Sequence, residues 1–236
     1  MSAIFKREFR SFFITPLGYV VIAIMMLFHS LAFTSMYSYG LTDIGYVFGS
    51  GFSFVAIYVL IPILTMRTMS DDRRQKTDQV LFTSPVGLYS IVFGKFFATL
   101  AIFMLSYVTT FVFQVIIAFQ DVSINWLLYI GNILGVFFMG SALIALGVFI
   151  SSLTESQIIS VVISFAASLV LAMMDNVSEM INVPFVTKII EKISFVGRYN
   201  TFCNGIIDYS NIVFFVGFAA IFIFLTVRVL DKRRYS

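Results

Sequence analysis

Charged side chains are scarce in this chain: Asp, Glu, Lys and Arg supply 11% of its 236 residues, against roughly a quarter in an ordinary soluble domain. The scarcity is uneven. Residues 11–42, 44–66, 96–120, 122–154, 156–174 and 209–227 carry no charge at all. A Lys, Arg or Asp at mid-bilayer costs about 2.5–3.5 kcal/mol, while each Leu, Ile, Phe or Val returns about 0.3–0.6. Each run is near the length, about 20 residues, that a helix needs to cross a bilayer. With 60% hydrophobic residues and a mean hydropathy of +0.99, the runs predict an all-α integral membrane protein with six transmembrane helices. The expected spans are 17–37, 46–66, 89–119, 126–150, 157–174 and 209–228, which leave residues 1–236 as a single transmembrane domain.

Other absences exclude chemistry. Cys203 is the one cysteine, so no intrachain disulfide and no cysteine-spaced metal cage can form. His29 is the one histidine, which excludes an H-E-x-x-H zinc site. An intramembrane serine protease needs a serine and a histidine together, but Ser141, after Gly140, and His29 lie on distant spans. Gly94-Lys95 is followed by Phe96 and lacks the upstream glycine spacing of a phosphate loop, so the chain cannot cradle ATP by itself. No Asp or Glu falls inside a run to serve a proton or sodium relay; only His29 could. His29 is read as a satisfied interior or interfacial residue, Cys203 as a structural one.

Basic residues set the orientation. Lys6, Arg7 and Arg10 precede span one; Arg67, Arg73, Arg74, Lys76 and Lys95 separate spans two and three; Arg228, Lys232, Arg233 and Arg234 follow span six. Twelve of fifteen thus fall on one side, which the positive-inside rule makes cytoplasmic, with both termini. Lys188, Lys192 and Arg198 sit on the other side among Glu179, Glu191 and Asp208. The net charge of +3 is a membrane margin facing anionic lipid headgroups rather than a nucleic-acid surface. The first apolar run is too long for a signal-peptide core and lacks a small-residue cleavage site, so span one is expected to be retained.

Between the spans, residues 3–13 read as an amphipathic helix in the cytoplasmic interface: Ile4, Phe5, Phe9, Phe12 and Phe13 recur at helical spacing opposite Lys6, Arg7 and Arg10. The segment 67–86 is dense in charge. Ser70 reads as an N-cap, Asp71 and Asp72 as its acidic first turn, then Arg73, Arg74, Lys76 and Asp78, the apolar Val80-Leu81-Phe82, and the stop Thr83-Ser84-Pro85. This is either a short helix that docks in a partner's groove or a solvated topogenic loop. The G-x-x-x-G pairs Gly45/Gly49 and Gly131/Gly135, with Gly140 and Gly147, let helices approach closely, inside the subunit or at a dimer seam. Ser160, Ser164 and Ser168 form a stripe for interhelical hydrogen bonds or a wet translocation face. After span five, Pro184 reads as a helix start, with Phe185, Val186, Ile189, Ile190 and Ile193 as an apolar stripe beside Lys188, Glu191 and Lys192. A second patch holds Phe195, Val196, Phe202, Ile206 and Ile207. Both are too short to span; they lie on the outer leaflet, dip into it, or pack on the bundle.

Several of these residues together resemble a known family. Pro62, Leu64-Thr65-Met66-Arg67, Asp71-Asp72-Arg73-Arg74, Thr77, Val80 to Pro85, then Val92, Gly94, Lys95 and Phe96 look like the ABC-2 type transporter permeases. So do Ser11-Phe12-Phe13 with Pro16, Gly18 and Tyr19, the run Gly147 with Ser151-Ser152-Leu153-Thr154, and Gly205-Ile206-Ile207-Asp208. The resemblance covers most of the chain and is closest to the gliding-motility-associated branch. Departures are Lys76 in place of a glycine, Gln79 in place of a glutamate, and Asp71-Asp72 in place of glutamates.

The resemblance implies an export subunit of a bacterial inner membrane transporter, not an enzyme itself. It would work with a separate ATP-binding subunit that holds ATP and Mg, a second permease subunit, identical or related, membrane lipid, and an accessory extracytoplasmic protein. Asp71, Asp72, Arg73, Arg74, Thr77, Leu81 and Phe82 would couple it to the ATP-binding subunit, and the 175–209 region would form outer re-entrant helices. The other classes open to the sequence are a channel, a scaffold or a secondary carrier outside that family.

Overall fold

A computed structural model of the chain describes residues 1–75, 87–119, 126–180 and 193–234, and the described residues are helical with short connections. The helices are α1 Ser2–Ile14, α2 Leu17–Ser38, α3 Gly45–Gly49, α4 Gly51–Arg74, α5 Leu88–Leu105, α6 Val108–Ala118, α7 Trp126–Leu153, α8 Gln157–Met180, α9 Phe195–Cys203 and α10 Tyr209–Arg234. Six stretches are long and apolar enough to cross a membrane: Leu17–Ser38, Gly51–Arg74, Leu88–Ala118, Trp126–Leu153, Gln157–Met174 and Tyr209–Arg233.

Burial ranks them. In α7, 72% of the most apolar stretch is buried, and in α4 61%, against 17% for the stretch in α8. The inner pair is therefore α4 and α7, with α2, α5, α8 and α10 around it. Glycines make the core contacts close. A Cβ on Gly147 of α7 would overlap the Thr65 side chain of α4, and one on Gly135 would lie 2.6 Å from Phe202 Cβ. Gly131 sits against Phe202 and Gly205, and Gly140 against the Phe103 ring. These notches serve packing inside the subunit.

Several expected boundaries change. Span two begins at Gly51 rather than Tyr46, because Ser50 adopts an extended ψ of 151° and its Oγ caps α4 by accepting from Ser53 N–H at 3.3 Å. The Gly45/Gly49 pair thus belongs to the separate helix α3, where it faces Cys203 of α9. Span three is broken at Ser106–Tyr107. Ser106 and Tyr107 N–H turn to carbonyls three residues back, at 3.2 and 3.1 Å, and the hydroxyls of Ser106, Thr109 and Thr110 take the carbonyls of Phe103, Ser106 and Tyr107. Three hydroxyls in five residues compete with the helical ladder there.

The serine stripe of α8 is buried, but Ser168 Oγ donates to Ser164 O of its own helix, and the Ser160 and Ser164 hydroxyls have no partner. No interhelical hydrogen bond forms along it among the described residues. The expected helix start at Pro184 and most of the following apolar stripe, 184–192, lie outside the described residues. In the second patch Phe195 and Phe202 are buried in the core, Phe195 against Phe214, Phe215 and Phe218, whereas Ile206 and Ile207 are exposed. The Gly205 to Asp208 run is punctuation. Gly205 takes a φ of +76° to end α9, and Asp208 caps α10 by accepting from Ser210 N–H at 2.9 Å.

Candidate functional site

One end of the bundle collects charge. Arg67, Asp71, Asp72, Arg73 and Arg74 all lie in the last turns of α4, whose 24 residues run about 36 Å. Ser70 is therefore not an N-cap. It is buried inside α4 and its hydroxyl bonds back to Met66 O. The helix does not restart here because α7 supports it: Ser151 Oγ accepts from Met69 and Ser70 N–H at 3.2 and 3.1 Å and donates to Met66 O at 3.0 Å. Asp71 and Asp72 consequently occupy a helix C-terminal region, where the dipole disfavours acids, and basic partners offset that cost.

Each described acid and base of the motif except Arg74 has a partner to name. Asp71 accepts from Arg67 at 2.8 Å and from the Gln157 amide of α8. Asp72 meets Lys95 of α5 at 2.7 Å. Arg73 reaches the turn between α7 and α8, 2.8 Å from Glu155 and 3.0 Å from Leu153 O. Arg74 stands beside that same turn, lining a shallow cavity with Glu155 and Gln157. Thr77, Leu81 and Phe82, with the rest of 76–86, lie outside the described residues.

Lys95 is the deepest charge. Its side chain is 2% exposed, and its ammonium serves three acceptors: Asp72, Glu8 of α1 at 3.4 Å, and Thr68 O. Three donors with three acceptors satisfy the group, and a lysine this buried is tolerated only when paired. The segment expected as an amphipathic helix is helical in α1, with Ile4 and Phe12 buried. Its docking depends on Gly94, where a Cβ would come within 2.9 Å of Ile4 Cγ2. Beside the triad is a cavity of about 280 Å³ between α1, α4 and α5, walled by Arg7, Glu8, Arg67, Asp71, Asp72 and Lys95. Burial alone would lower the Arg7 pKa, but its hydrogen bond to Glu8 and the charges of Glu8 and Asp72 outweigh this and raise it.

Sequence reasoning missed Glu8, Glu155 and Gln157, and treated Lys95 as a topogenic charge. A signal existed. Lys95 falls directly before a charge-free run and inside the helical pattern of span three, so it needed an acid; the structure supplies Asp72 and Glu8. The arrangement fixes the last turns of α4 to α5, α7 and α8, and through Lys95 to α1.

Residues 9–172, more than two thirds of the chain and all but the last of the long apolar helices, match the sequence profile of the ABC-2 family transporter protein. No curated protein matches the chain significantly.

Proposed function

The chain belongs to the ABC-2 transporter family, a multi-pass membrane permease subunit rather than an ATPase, and from that premise we propose that it is an exporter subunit driven through the α4 end. The observation that carries this reading is the bracing of α4: residues 66–74 are bonded to three other helices, α5, α7 and α8, and lead directly into the segment ending at Pro85. In this proposal two permease subunits, identical or related, enclose the pathway, and each seats the part of the expected Ser70 to Thr83 segment beyond Arg74 in a separate ATP-binding subunit that holds ATP and Mg. Asp71, Asp72, Arg73 and Arg74 keep the base of the segment in place, while Thr77, Leu81 and Phe82 face the partner. Closure of the ATP-binding pair would push the braced end and rock the spans between two states.

The same reading places both termini and this end of the bundle in the cytoplasm of a bacterial inner membrane, α1 in the membrane interface, and α9 with its preceding segment at the outer side. The resemblance taken over most of the chain is closest to the gliding-motility-associated branch, and the proposal includes an accessory extracytoplasmic protein.

The test is the double substitution Leu81→Asp and Phe82→Asp. Two apolar anchors at about 2 kcal/mol or more each correspond to a loss of roughly several hundredfold in affinity. Pull-down of the co-expressed ATP-binding subunit should fail, and its ATPase rate should lose its dependence on the permease, with membrane insertion intact. Unchanged recovery and unchanged rate would reduce the segment to a topogenic loop.

A further inference from the structure

The break in span three meets the one histidine of the chain. His29, near the middle of α2, is fully buried, and its ring centroid lies 4.5 Å from that of Tyr107. Neither ring nitrogen of His29 has a hydrogen-bond partner, and neither does the Tyr107 hydroxyl. This corrects the expectation of a satisfied interior histidine. The unpartnered groups continue: Gln114 Oε1, two turns along α6, and Asn132 Oδ1 on α7 are buried without a partner. On the same two helices Thr110 Oγ1 and the Tyr129 hydroxyl share a 3.3 Å hydrogen bond.

Three general rules converge here. Buried polar groups in native proteins almost always have partners, so each exception needs a cause. An ionisable side chain inside a span marks function by default, and transporters present polar groups to their cargo where a span is interrupted. The chemistry of the groups defines the ligand. Imidazole, phenol and amide offer donors and acceptors, while the surrounding segments 17–38, 44–66, 96–119 and 126–153 contain no charged residue. A charged group brought there would be buried without compensation. Phe103 and Phe48, with ring centroids 5.3 and 6.0 Å from that of Tyr107, supply an apolar surround.

We propose that His29 and Tyr107 form a recognition point for the transported molecule, and that they bind an uncharged hydroxyl or carbonyl group of an amphiphile. The proposal rests on the permease reading and adds the substrate class. In this structure the point is closed, so the ligand reaches it in the state where α2 parts from α5 and α6.

Because the chain has a single histidine, ¹⁵N-histidine labelling of the full chain in phosphatidylcholine nanodiscs gives one imidazole signal pair. Diacylglycerol and phosphatidic acid with the same acyl chains serve as probes, differing only in a hydroxyl against a phosphate. Diacylglycerol should shift the imidazole resonances saturably and phosphatidic acid should not. Tyr107→Phe, which keeps the ring, should weaken that response about fivefold, the worth of one neutral hydrogen bond. His29→Leu should keep or raise the thermal midpoint, since replacing an unpartnered polar group by an apolar one is neutral or stabilising, while abolishing stimulation of the partner's ATPase by diacylglycerol.

No shift with either lipid, an equal shift with both, or an undiminished response in Tyr107→Phe would overturn the proposal. The nanodisc measurement contains no ATP-binding subunit. An imidazole response alongside unchanged pull-down and ATPase rate in the Leu81→Asp, Phe82→Asp variant would therefore refute the coupling reading alone.

Discussion

Lys95 shows how a single side chain can hold a bundle end. Its partners Asp72 and Glu8 keep 20% and 16% of their side chains exposed, whereas Lys95 keeps 2%. Lys95→Met should therefore cost about 3 kcal/mol, the low end for breaking a buried pair, read as a lower thermal midpoint in detergent; a cost under about 1 kcal/mol would class the triad with solvated pairs. Cys203 gives a pH prediction. Burial pushes its thiol up to about 12, with the Tyr199 hydrogen bond opposing and the Asp43 charge adding. A folded pKa above the unfolded one means stability is intact below about pH 9 and falls as pH rises from there towards 12. At pH 9, maleimide should modify folded protein some 10²–10³-fold more slowly than unfolded protein, in proportion to thiolate. Residue-level partners of this sort were the least legible part of the sequence. Lys95 could be seen to need an acid, but Gln157 as a ligand of Asp71 follows only from the turn that brings α8 beside α4.

At the scale of elements, charge-free length was the reliable signal and local hydroxyl chemistry the missed one. All six apolar runs became long helices because no alternative satisfies their backbone in an apolar medium. Their ends moved where a side chain competed for the backbone: Ser50 started α4 late, Ser106, Thr109 and Thr110 split span three, and Ser151 carried α4 past Ser70. Ser70 had the composition of a cap, and only the α7 hydroxyl beside it decides against one. The close approach of α4 and α7 yields a further prediction. Gly147→Ala places a methyl 2.8 Å from Thr65 Cβ, and the β-branched threonine has little freedom to move. Overpacking of about 1–3 kcal/mol should appear as a lower thermal midpoint, relieved in part in the double variant Gly147→Ala with Thr65→Ala, which removes the Thr65 Oγ1 nearest the added methyl.

For the whole molecule, the basic asymmetry predicts a topology that reporters can read: both termini and position 76 on the cytoplasmic side, positions 43, 121 and 192 on the other. A cytoplasmic signal at 192 would mean that α8 does not cross. The ionic triad also orders events in time. Glu8 leaves the ribosome 87 residues before Lys95, and Asp72 only 23 before it; at about 5–20 residues per second, Glu8 waits roughly 4–17 s. Through that interval α1 has a lipid surface to lie on but no α5 to dock against. When Lys95 emerges, the freshly made end of α4 meets it first, and neutralisation by Asp72 lets span three settle with a lysine at its margin. Closure of the Glu8 bridge comes last. In ribosome-arrested chains, a disulfide between cysteines placed at 72 and 95 should form at shorter chain lengths than one between cysteines placed at 8 and 95; that order would make the amino-terminal helix a late clasp on the first three spans, and the reverse order would make it the seed from which they assemble.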